Sequence, residues 1–249
     1  DSTCQKEEIG NLDSKILTET EILPPNLSEE QSQTFNDYLT SGDSYFAEEN
    51  YEKAVQDYQK ASALNPQSSQ ALLKLGMTQL KNNQPLDAKT TLIAANQINP
   101  DSSEIKLTLA KANLNSRNVE EAKNIVWALD QNNLEIKYYK AIILVLYKEF
   151  DEAKNLFQEI TNSESLVDTE FVEKSNKFLA AYANFSYFKE AEQIFLELSL
   201  AKTLTEVNEY QSAIPLLFEI LNEKNNYRDA WIVLGFAYLN TGKTLDAIS

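Results

Sequence analysis

Histidine is absent from this chain, and cysteine occurs only once, at Cys4. Without histidine a protein lacks its commonest metal ligand and its usual acid–base group near neutral pH, so we predict no metal site and no histidine-based catalysis. One cysteine cannot form an internal disulfide, and we expect no catalytic role for Cys4 in its polar N-terminal stretch. The sequence also has no glycine-rich phosphate loop and no Ser-His-Asp set, so it predicts neither a cofactor nor an enzyme.

Positive charge is scarce as well. Lysine and arginine number 22 against 38 aspartates and glutamates, which gives a net charge of −16. Such a surface repels nucleic-acid phosphates and anionic lipids, so we predict no nucleic-acid partner. No apolar run approaches the roughly 18 residues of a transmembrane helix, so no direct membrane insertion is predicted for this segment. The acidic surface is explained either by solubility or by a basic partner.

Only five glycines occur among the 249 residues, yet their positions follow a pattern. An interval of 34 residues separates Gly42 from Gly76, Ala54 from Ala88, Ala61 from Ala95 and Pro66 from Pro100. A fixed period of this length is typical of stacked repeats. Each unit is predicted to hold two helices, in the first case at 33–47 and 51–63. The small residues allow the helices to approach each other, and Pro66 ends the pair because proline cannot continue a helix.

This pattern resembles the tetratricopeptide repeat, which carries W-x-x-L-G-x-x-Y in its first helix and A-x-x-x-F and P in its second. The best match is Trp231-Ile-Val-Leu234-Gly235-Phe-Ala-Tyr238, followed by Gly242 in the turn and Ala247 in the next helix. The resemblance implies an all-α fold, a right-handed α-solenoid of antiparallel helix pairs. It also implies a function in binding a protein or peptide partner.

Two parts are predicted along the chain. Residues 1–30 form an extended leader or linker, because they lack a lasting helical period and contain Pro24-Pro25. Two interpretations of this part stay open: it is a disordered tail, or it docks onto the first repeats. Residues 31–249 form the repeat domain, with about six to seven repeats and a truncated C-terminal end. We interpret the chain as an excised segment of a longer protein. Removal of an upstream signal or anchor stays open, so the localisation stays unassigned.

The period breaks in the second half of the chain. The small residue of the second helix recurs at Ala54, Ala88, Ala122, Ala153, Ala191, Ala213 and Ala247. The interval between Ala191 and Ala213 is too short for a helix pair. We therefore predict an irregular long-helix section around 167–207, with one helix at 167–184 and another of about 30 Å at 188–207. A shortened first helix is the alternative.

In the tetratricopeptide family, partner peptides usually lie in a concave groove lined by the first helices. Projecting that face onto this sequence gives Leu39, Asp43, Phe46, Leu73, Lys74, Met77, Leu80, Leu107, Lys111, Leu114, Tyr138 and Ile142. Because the set is largely apolar, we predict that it binds an amphipathic helix or an apolar extended segment. The chain's own N-terminus is a second candidate for binding in this groove. Alternatively, this face is buried between repeats and forms no groove. Aspartate at both Leu73 and Leu107 is expected to abolish partner binding and preserve helicity.

One subset of the family holds chaperone C-terminal carboxylates with lysine, arginine and asparagine. The corresponding positions here are Leu39, Asp43, Lys74, Glu104 and Thr108, and only Lys74 is cationic. We therefore predict that this role is absent. The leading interpretation is a scaffold or adaptor that holds a partner segment in its groove. Two alternatives stay open. One is a recruitment or regulatory domain of a larger enzyme or assembly whose catalytic part lies outside this segment. The other is a self-assembling homo-oligomer.

Overall fold

The computed structural model describes residues 27–163, 169–187 and 192–242, and these ranges contain helices and no strand. Four pairs come first: α1 (Glu29–Ala47) with α2 (Tyr51–Leu64), α3 (Ser69–Lys81) with α4 (Pro85–Ile98), α5 (Ser103–Asn115) with α6 (Val119–Trp127), and α7 (Leu134–Leu146) with α8 (Phe150–Thr161). A single helix, α9 (Thr169–Ser186), precedes a fifth pair, α10 (Gln193–Glu206) and α11 (Tyr210–Glu223), and then α12 (Arg228–Asn240). The predicted all-α solenoid is confirmed.

The same turn joins the two helices of all five pairs. Its central residue has a positive φ, between 55° and 66°, at Glu49, Asn83, Arg117, Lys148 and Asn208. The next backbone N–H donates to a carbonyl oxygen five residues earlier, as from Asn50 to Tyr45 and from Glu209 to Leu204, both at 2.8 Å. This arrangement satisfies carbonyl groups that a helix end would otherwise leave free. The residue with positive φ therefore identifies the same position in each repeat, and this assignment does not depend on the side chains.

Counting from this turn residue places small side chains in two constant positions. Seven residues before it lie Gly42, Gly76, Ala110, Ala141 and Ala201, and five residues after it lie Ala54, Ala88, Ala122, Ala153 and Ala213, all of them buried. Gly242 also has a positive φ, of 75°, and follows Gly235 by seven residues. In this frame, α12 is the first helix of a sixth repeat, whose Ala247 lies outside the described residues.

This frame revises the long-helix section predicted around 167–207. The helix predicted at 167–184 is present as α9, with 18 residues. The helix predicted at 188–207 is α10, which has only 14 residues because Glu192 has an extended backbone at its N-cap. In the described residues the second-helix alanines on either side of α9 are Ala153 and Ala213. Ala191, which the sequence pattern also counted, lies outside the described residues. The irregularity is therefore one extra helix between two ordinary pairs.

The N-terminal boundary is set by a capping box. Ser28 Oγ accepts from the backbone N–H of Gln31 at 3.2 Å, and Gln31 Oε1 accepts from the N–H of Ser28 at 3.1 Å. This exchange satisfies donors at the helix start, so α1 begins at Glu29, four residues earlier than predicted. Most of the predicted leader, residues 1–26, lies outside the described residues, and the division at 30 stays a prediction.

Aromatic packing holds α9 against the fourth pair. The rings of Phe157 on α8 and Phe178 on α9 stack with centroids 4.4 Å apart and planes inclined by 3°. Tyr138 on α7 meets both rings edge-on at 6.3 Å. All three side chains are fully buried. Stacked and edge-on pairs are the favoured aromatic geometries, so this cluster fixes α9 beside α7 and α8.

The fifth pair turns back towards the earlier repeats. Besides its sequence neighbours, α11 contacts α5 and α7, the first helices of the third and fourth repeats. Lys148, in the α7–α8 turn, also bridges Glu197 of α10 at 3.1 Å and Glu219 of α11 at 3.0 Å. The inner face of the solenoid is thereby partly covered by its own C-terminal part. No helix in the described ranges is long and apolar enough to cross a membrane.

Candidate partner-binding site

The inner face encloses a cavity of about 490 Å³. Side chains of α1, α3, α5 and α7 form one wall, and α9 contributes Glu170, Phe171 and Lys174. The opposite side is lined by Asn208 and Glu209 of the α10–α11 turn, by Tyr210 and Gln211 at the start of α11, and by Asn240 at the end of α12. We call this space the inner cavity. Its partly enclosed shape depends on the extra helix and on the return of α11.

Apolar side chains line much of the inner cavity: Phe46, Met77, Leu80, Leu114, Tyr139, Phe171 and Tyr210. Met77 is 37% exposed, and Phe46, Leu80 and Phe171 are partly exposed. Methionine has a flexible, polarisable side chain that adapts to differently shaped contacts. The wall therefore offers an adaptable apolar surface inside a partly enclosed space.

Charged side chains complete the lining in equal numbers of each sign: Lys81, Lys111, Lys174, Glu135, Glu170 and Glu209. Lys111 forms an ion pair with Glu135, and Lys174 forms one with Glu170 at 2.6 Å. The Lys174 ammonium holds the pKa of Glu170 below its ordinary value. Two of the three lysines are thus already neutralised by neighbours within the wall.

Glu209 is the carboxylate at the point where α11 meets α7. The Tyr139 hydroxyl donates to Glu209 Oε1 at 3.3 Å. Burial raises the pKa of Glu209, although the charges of Lys174 and Lys111 and the hydrogen bond from Tyr139 oppose that shift. Burial and the nearby Glu209 charge also raise the pKa of Tyr139, which keeps its hydroxyl protonated as a donor.

A second cavity, of about 520 Å³, adjoins the first. We call it the edge cavity, because it lies between the turns of the second and third repeats and the start of α11. It is lined by residues 83–87, residues 115–117, Gln211 and Thr241. Asn83, Asn115 and Gln211 line both cavities, so the two spaces meet at these amide side chains.

The structure places the sequence-predicted groove residues in three groups. Phe46, Met77, Leu80, Lys111 and Leu114 line the inner cavity. Leu73, Leu107, Tyr138 and Ile142 lie in the core with at most 8% of their surface exposed. Leu39 packs against the buried side chains of Ala54, Val55, Tyr58 and Leu75. Asp43 forms an ion pair with Lys74 at 2.5 Å and accepts from the Tyr58 hydroxyl at 2.5 Å.

The predicted groove residues that lie in the core show that the face projected from the sequence does not coincide with the cavity wall. Leu73, Leu107 and Tyr138 all lie ten residues before a turn residue, on the side that packs against a neighbouring helix. Aspartate at Leu73 and Leu107 would put charge into the core, which is costly without a counter-ion. Retained helicity is therefore no longer expected for that double substitution. The adjacent Tyr139, and not Tyr138, faces the inner cavity.

Other lining residues were missed by the sequence reasoning, because they come from α9 and from the α10–α11 turn. They are Glu170, Phe171, Lys174 and residues 208–211. Their position depends on the contact of α11 with α5 and α7, which no local pattern encodes. One signal was available: Ala201 lies seven residues before Asn208, as Gly42 lies before Glu49. The described ranges hold no cluster of three or more acidic, cysteine or histidine side chains placed for a metal ion.

Five identical turns and two constant small-residue positions define an α-solenoid repeat protein, a scaffold for protein–protein interaction. Residues 42–83 match a family model described as TPR repeat, and residues 70–102 match one described as Tetratricopeptide repeat. The chain therefore contains tetratricopeptide repeats within residues 42–102. Proteins of this fold are generally non-catalytic scaffolds.

Solved structures similar to this chain include a tetratricopeptide repeat protein from Parabacteroides merdae, with 15% identity, a TM-score of 0.50, and coverage of 86% of this chain and 90% of that one. PilF of Pseudomonas aeruginosa has 14% identity and a TM-score of 0.48, with coverage of 88% and 90%. YrrB, described as a TPR protein with an unusual peptide-binding site, has 14% identity and a TM-score of 0.46, with coverage of 81% and 96%. At 15% identity the likeness to the Parabacteroides merdae protein indicates a shared fold alone. A search of curated proteins gave no match.

Proposed function

We propose that this chain is an adaptor that binds a segment of a partner protein in the inner cavity. The observation that carries the proposal is the exposure of Met77, together with Phe46, Leu80 and Phe171, inside a walled space on the inner face. Binding sites are typically concave and apolar, with a few polar groups that fix orientation. The inner cavity is concave and mixes these two kinds of group, since its apolar side chains are interleaved with ion pairs and amides.

The continuity of the two cavities favours a short extended segment over an amphipathic helix. The inner and edge cavities meet at Asn83, Asn115 and Gln211. An extended segment can therefore enter the inner cavity with one or two side chains and continue into the edge cavity.

Two matched substitutions test this function. Met77→Lys places a charge in the inner cavity, whereas Ile93→Lys places the same charge on α4, outside both cavities, at a residue of similar exposure (41% against 37%). Peptides are first selected on the wild-type chain from a displayed library of random short sequences. Met77→Lys is expected to weaken the selected peptides at least about tenfold, and Ile93→Lys to leave them unchanged.

Calorimetric titration of the purified peptides measures both effects, and circular dichroism checks that both variants fold. Unchanged affinity for folded Met77→Lys would place the peptides elsewhere and overturn the proposal. Failure to select any peptide would overturn it as well.

A further inference from the structure

Glu209 has a counterpart in the fourth repeat, Glu149. Each is the first residue after a turn residue of positive φ, Asn208 or Lys148, and each precedes the second helix of its pair. The backbone N–H groups of Glu149 and Glu209 donate to carbonyl oxygens five residues earlier, at 2.9 Å and 2.8 Å. Neither carboxylate forms a hydrogen bond to the start of its own helix. The two residues therefore share residue type and local backbone structure.

The surroundings of the two carboxylates differ because α11 returns to the inner face. Glu149 is exposed, whereas Glu209 is only partly exposed and lines the inner cavity. Within the described ranges, the hydrogen bond to the Glu209 side chain comes from Tyr139 of α7, at 3.3 Å. Burial is the largest influence on the pKa of Glu209 and raises it. This burial comes from helices distant in sequence, so separation of α11 from them would return the carboxylate to water.

Charged and titratable groups face Glu209 from α3, α5, α7 and α9. They are Lys81 on α3, Lys111 on α5, Glu135, Tyr138 and Tyr139 on α7, and Glu170 and Lys174 on α9, while Glu206 and Tyr210 lie beside it in the chain. Lys111 and Lys174 form ion pairs with Glu135 and Glu170. In the part of the chain that the structure describes, Glu209 itself forms no ion pair, and the attraction of the lysines does not outweigh burial.

A carboxylate that is removed from water without a direct counter-ion is costly when charged and much less so when protonated. The contact between α11 and the inner face therefore binds a proton at Glu209 more tightly than the separated arrangement does. Linkage makes this reciprocal, so the proton stabilises the contact. The contact is strongest at a pH below the raised pKa of Glu209 and weakens as pH rises through that pKa.

We propose that the contact of α11 with α5 and α7 is a pH-sensitive closure of the inner cavity, with Glu209 as its sensor. A proton on Glu209 holds the cavity wall together, and loss of that proton lets the C-terminal part move away from the inner face. This inference concerns the wall of the cavity and does not depend on what binds there. Its failure would therefore leave the proposed function standing.

The test measures the width of the inner cavity directly. Cys4→Ser removes the native cysteine, and spin labels are attached through Gln97→Cys on α4 and Asn240→Cys at the end of α12, two exposed positions on opposite sides of the cavity. Pulsed electron paramagnetic resonance gives the distribution of distances between the labels at pH 5 and pH 7.5. The population of longer distances is expected to rise at least about twofold at pH 7.5. Circular dichroism checks that the labelled chain is folded at both pH values.

Two substitutions in the labelled chain identify the sensor. Glu209→Gln stays uncharged, so its distances are expected to remain short at both pH values. Glu149→Gln makes the same change at the equivalent exposed position and is expected to respond to pH as the labelled chain does. An identical distribution at pH 5 and pH 7.5 in the labelled chain overturns the inference. A response that persists in Glu209→Gln, or that disappears in Glu149→Gln, overturns it as well.

Discussion

Gly42 is required because the ring of Tyr58 lies directly over it. A Cβ at Gly42 would lie 2.7 Å from Tyr58 Cε1, closer than side chains ordinarily approach. The ring cannot easily move away, because its hydroxyl donates to Asp43 at 2.5 Å and Asp43 is paired with Lys74. The close packing at Gly42 therefore involves the aromatic ring of Tyr58.

Gly42→Ala is therefore expected to destabilise the protein by about 1–3 kcal/mol, the usual range for overpacking. In an open helix the same change stabilises by about 0.5–1 kcal/mol, so the sign of the effect decides between the two environments. Urea unfolding of the variant measures it. Thr40→Ala, on the exposed side of α1, serves as the control for helix propensity. A Gly42→Ala variant as stable as the wild type would contradict the close packing.

Asp57 is a buried carboxylate whose partners favour its charged form. It accepts from Ser41 at 2.6 Å and pairs with Lys60 at 2.8 Å. Burial raises the pKa of Asp57, but the hydrogen bonds from Lys60 and Ser41 and the Lys60 charge outweigh burial, so the pKa lies below its ordinary value. The stabilisation is thus fully present above the unfolded-state pKa of about 3.9 and is lost as pH falls through the folded-state pKa.

We expect wild type to have a higher Tm than Asp57→Asn at pH 6, and the gap to narrow as pH falls below about 4. Asparagine keeps the acceptor for Ser41 and loses only the charge. Thermal unfolding followed by circular dichroism across this range checks the prediction. A gap that stays constant from pH 6 to pH 3 would show that Asp57 contributes through shape alone.

Among the elements, α9 interrupts an otherwise regular alternation of helix pairs. Lys148 links the pair before α9 to the pair after it, since it bridges Glu197 of α10 and Glu219 of α11. The Glu197 side chain is only 4% exposed, whereas that of Glu219 is 52% exposed. The two carboxylates therefore depend on Lys148 to different degrees.

Lys148→Asn should destabilise the fold by about 2 kcal/mol, somewhat less than the 3–5 kcal/mol typical of a broken buried pair, because Lys148 is itself partly exposed. Asparagine tolerates the positive φ of this turn residue, so the loss reports on the charge. Glu219→Gln, which removes only the exposed partner, is expected to change stability by no more than about 0.5 kcal/mol. Denaturant unfolding compares the two, and equal effects would refute the buried role of Glu197.

Helix pairs could be predicted from the sequence where the 34-residue interval is regular, because Gly42, Gly76 and their alanine partners are local signals. The extra helix could not be placed in this way. Ala191 fits the small-residue pattern as well as Ala213 does, and only the left-handed turn at Asn208 separates them. The backbone conformation at Asn208 thus identifies Ala213 as the second-helix alanine, which residue type alone does not do.

At the scale of the whole molecule, Glu209 lies where the C-terminal part meets the inner face. Lys174, Lys111, Lys81 and Tyr139 face it, yet burial dominates and raises its pKa. The folded state therefore binds this proton more tightly than the unfolded state, so the charged form of Glu209 reduces stability at neutral pH.

Glu209→Gln is expected to raise the free energy of unfolding at pH 7, because the amide keeps the acceptor for Tyr139 without the buried charge. The advantage should shrink as pH falls through the folded-state pKa of Glu209, where the wild-type carboxyl takes up its proton. Urea unfolding at pH 7 and pH 5 measures both values. A variant less stable than wild type at pH 7 would show that the lysines, and not burial, control this site.

The candidate site was predictable only in part. Phe46, Met77 and Lys111 followed from the inner face of the first helices, which is a property of each repeat alone. The rest of the wall depends on α9 and on contacts between α11 and helices far from it in sequence. Such contacts leave no periodic trace, so the sequence predicted a groove lined by first helices alone, whereas α9 and α11 also line the cavity.

The contact of α11 with α5 and α7 also has a mechanical consequence. A solenoid in which every repeat touches only its neighbours extends under tension like a spring, with the load shared along its length. Here the contact of α11 with α5 and α7 connects repeats that are distant in sequence. The middle of the solenoid therefore resists extension, whereas α1 to α4 remain free to extend. Force applied across the molecule would have to separate α11 from α5 and α7 before these repeats could move apart.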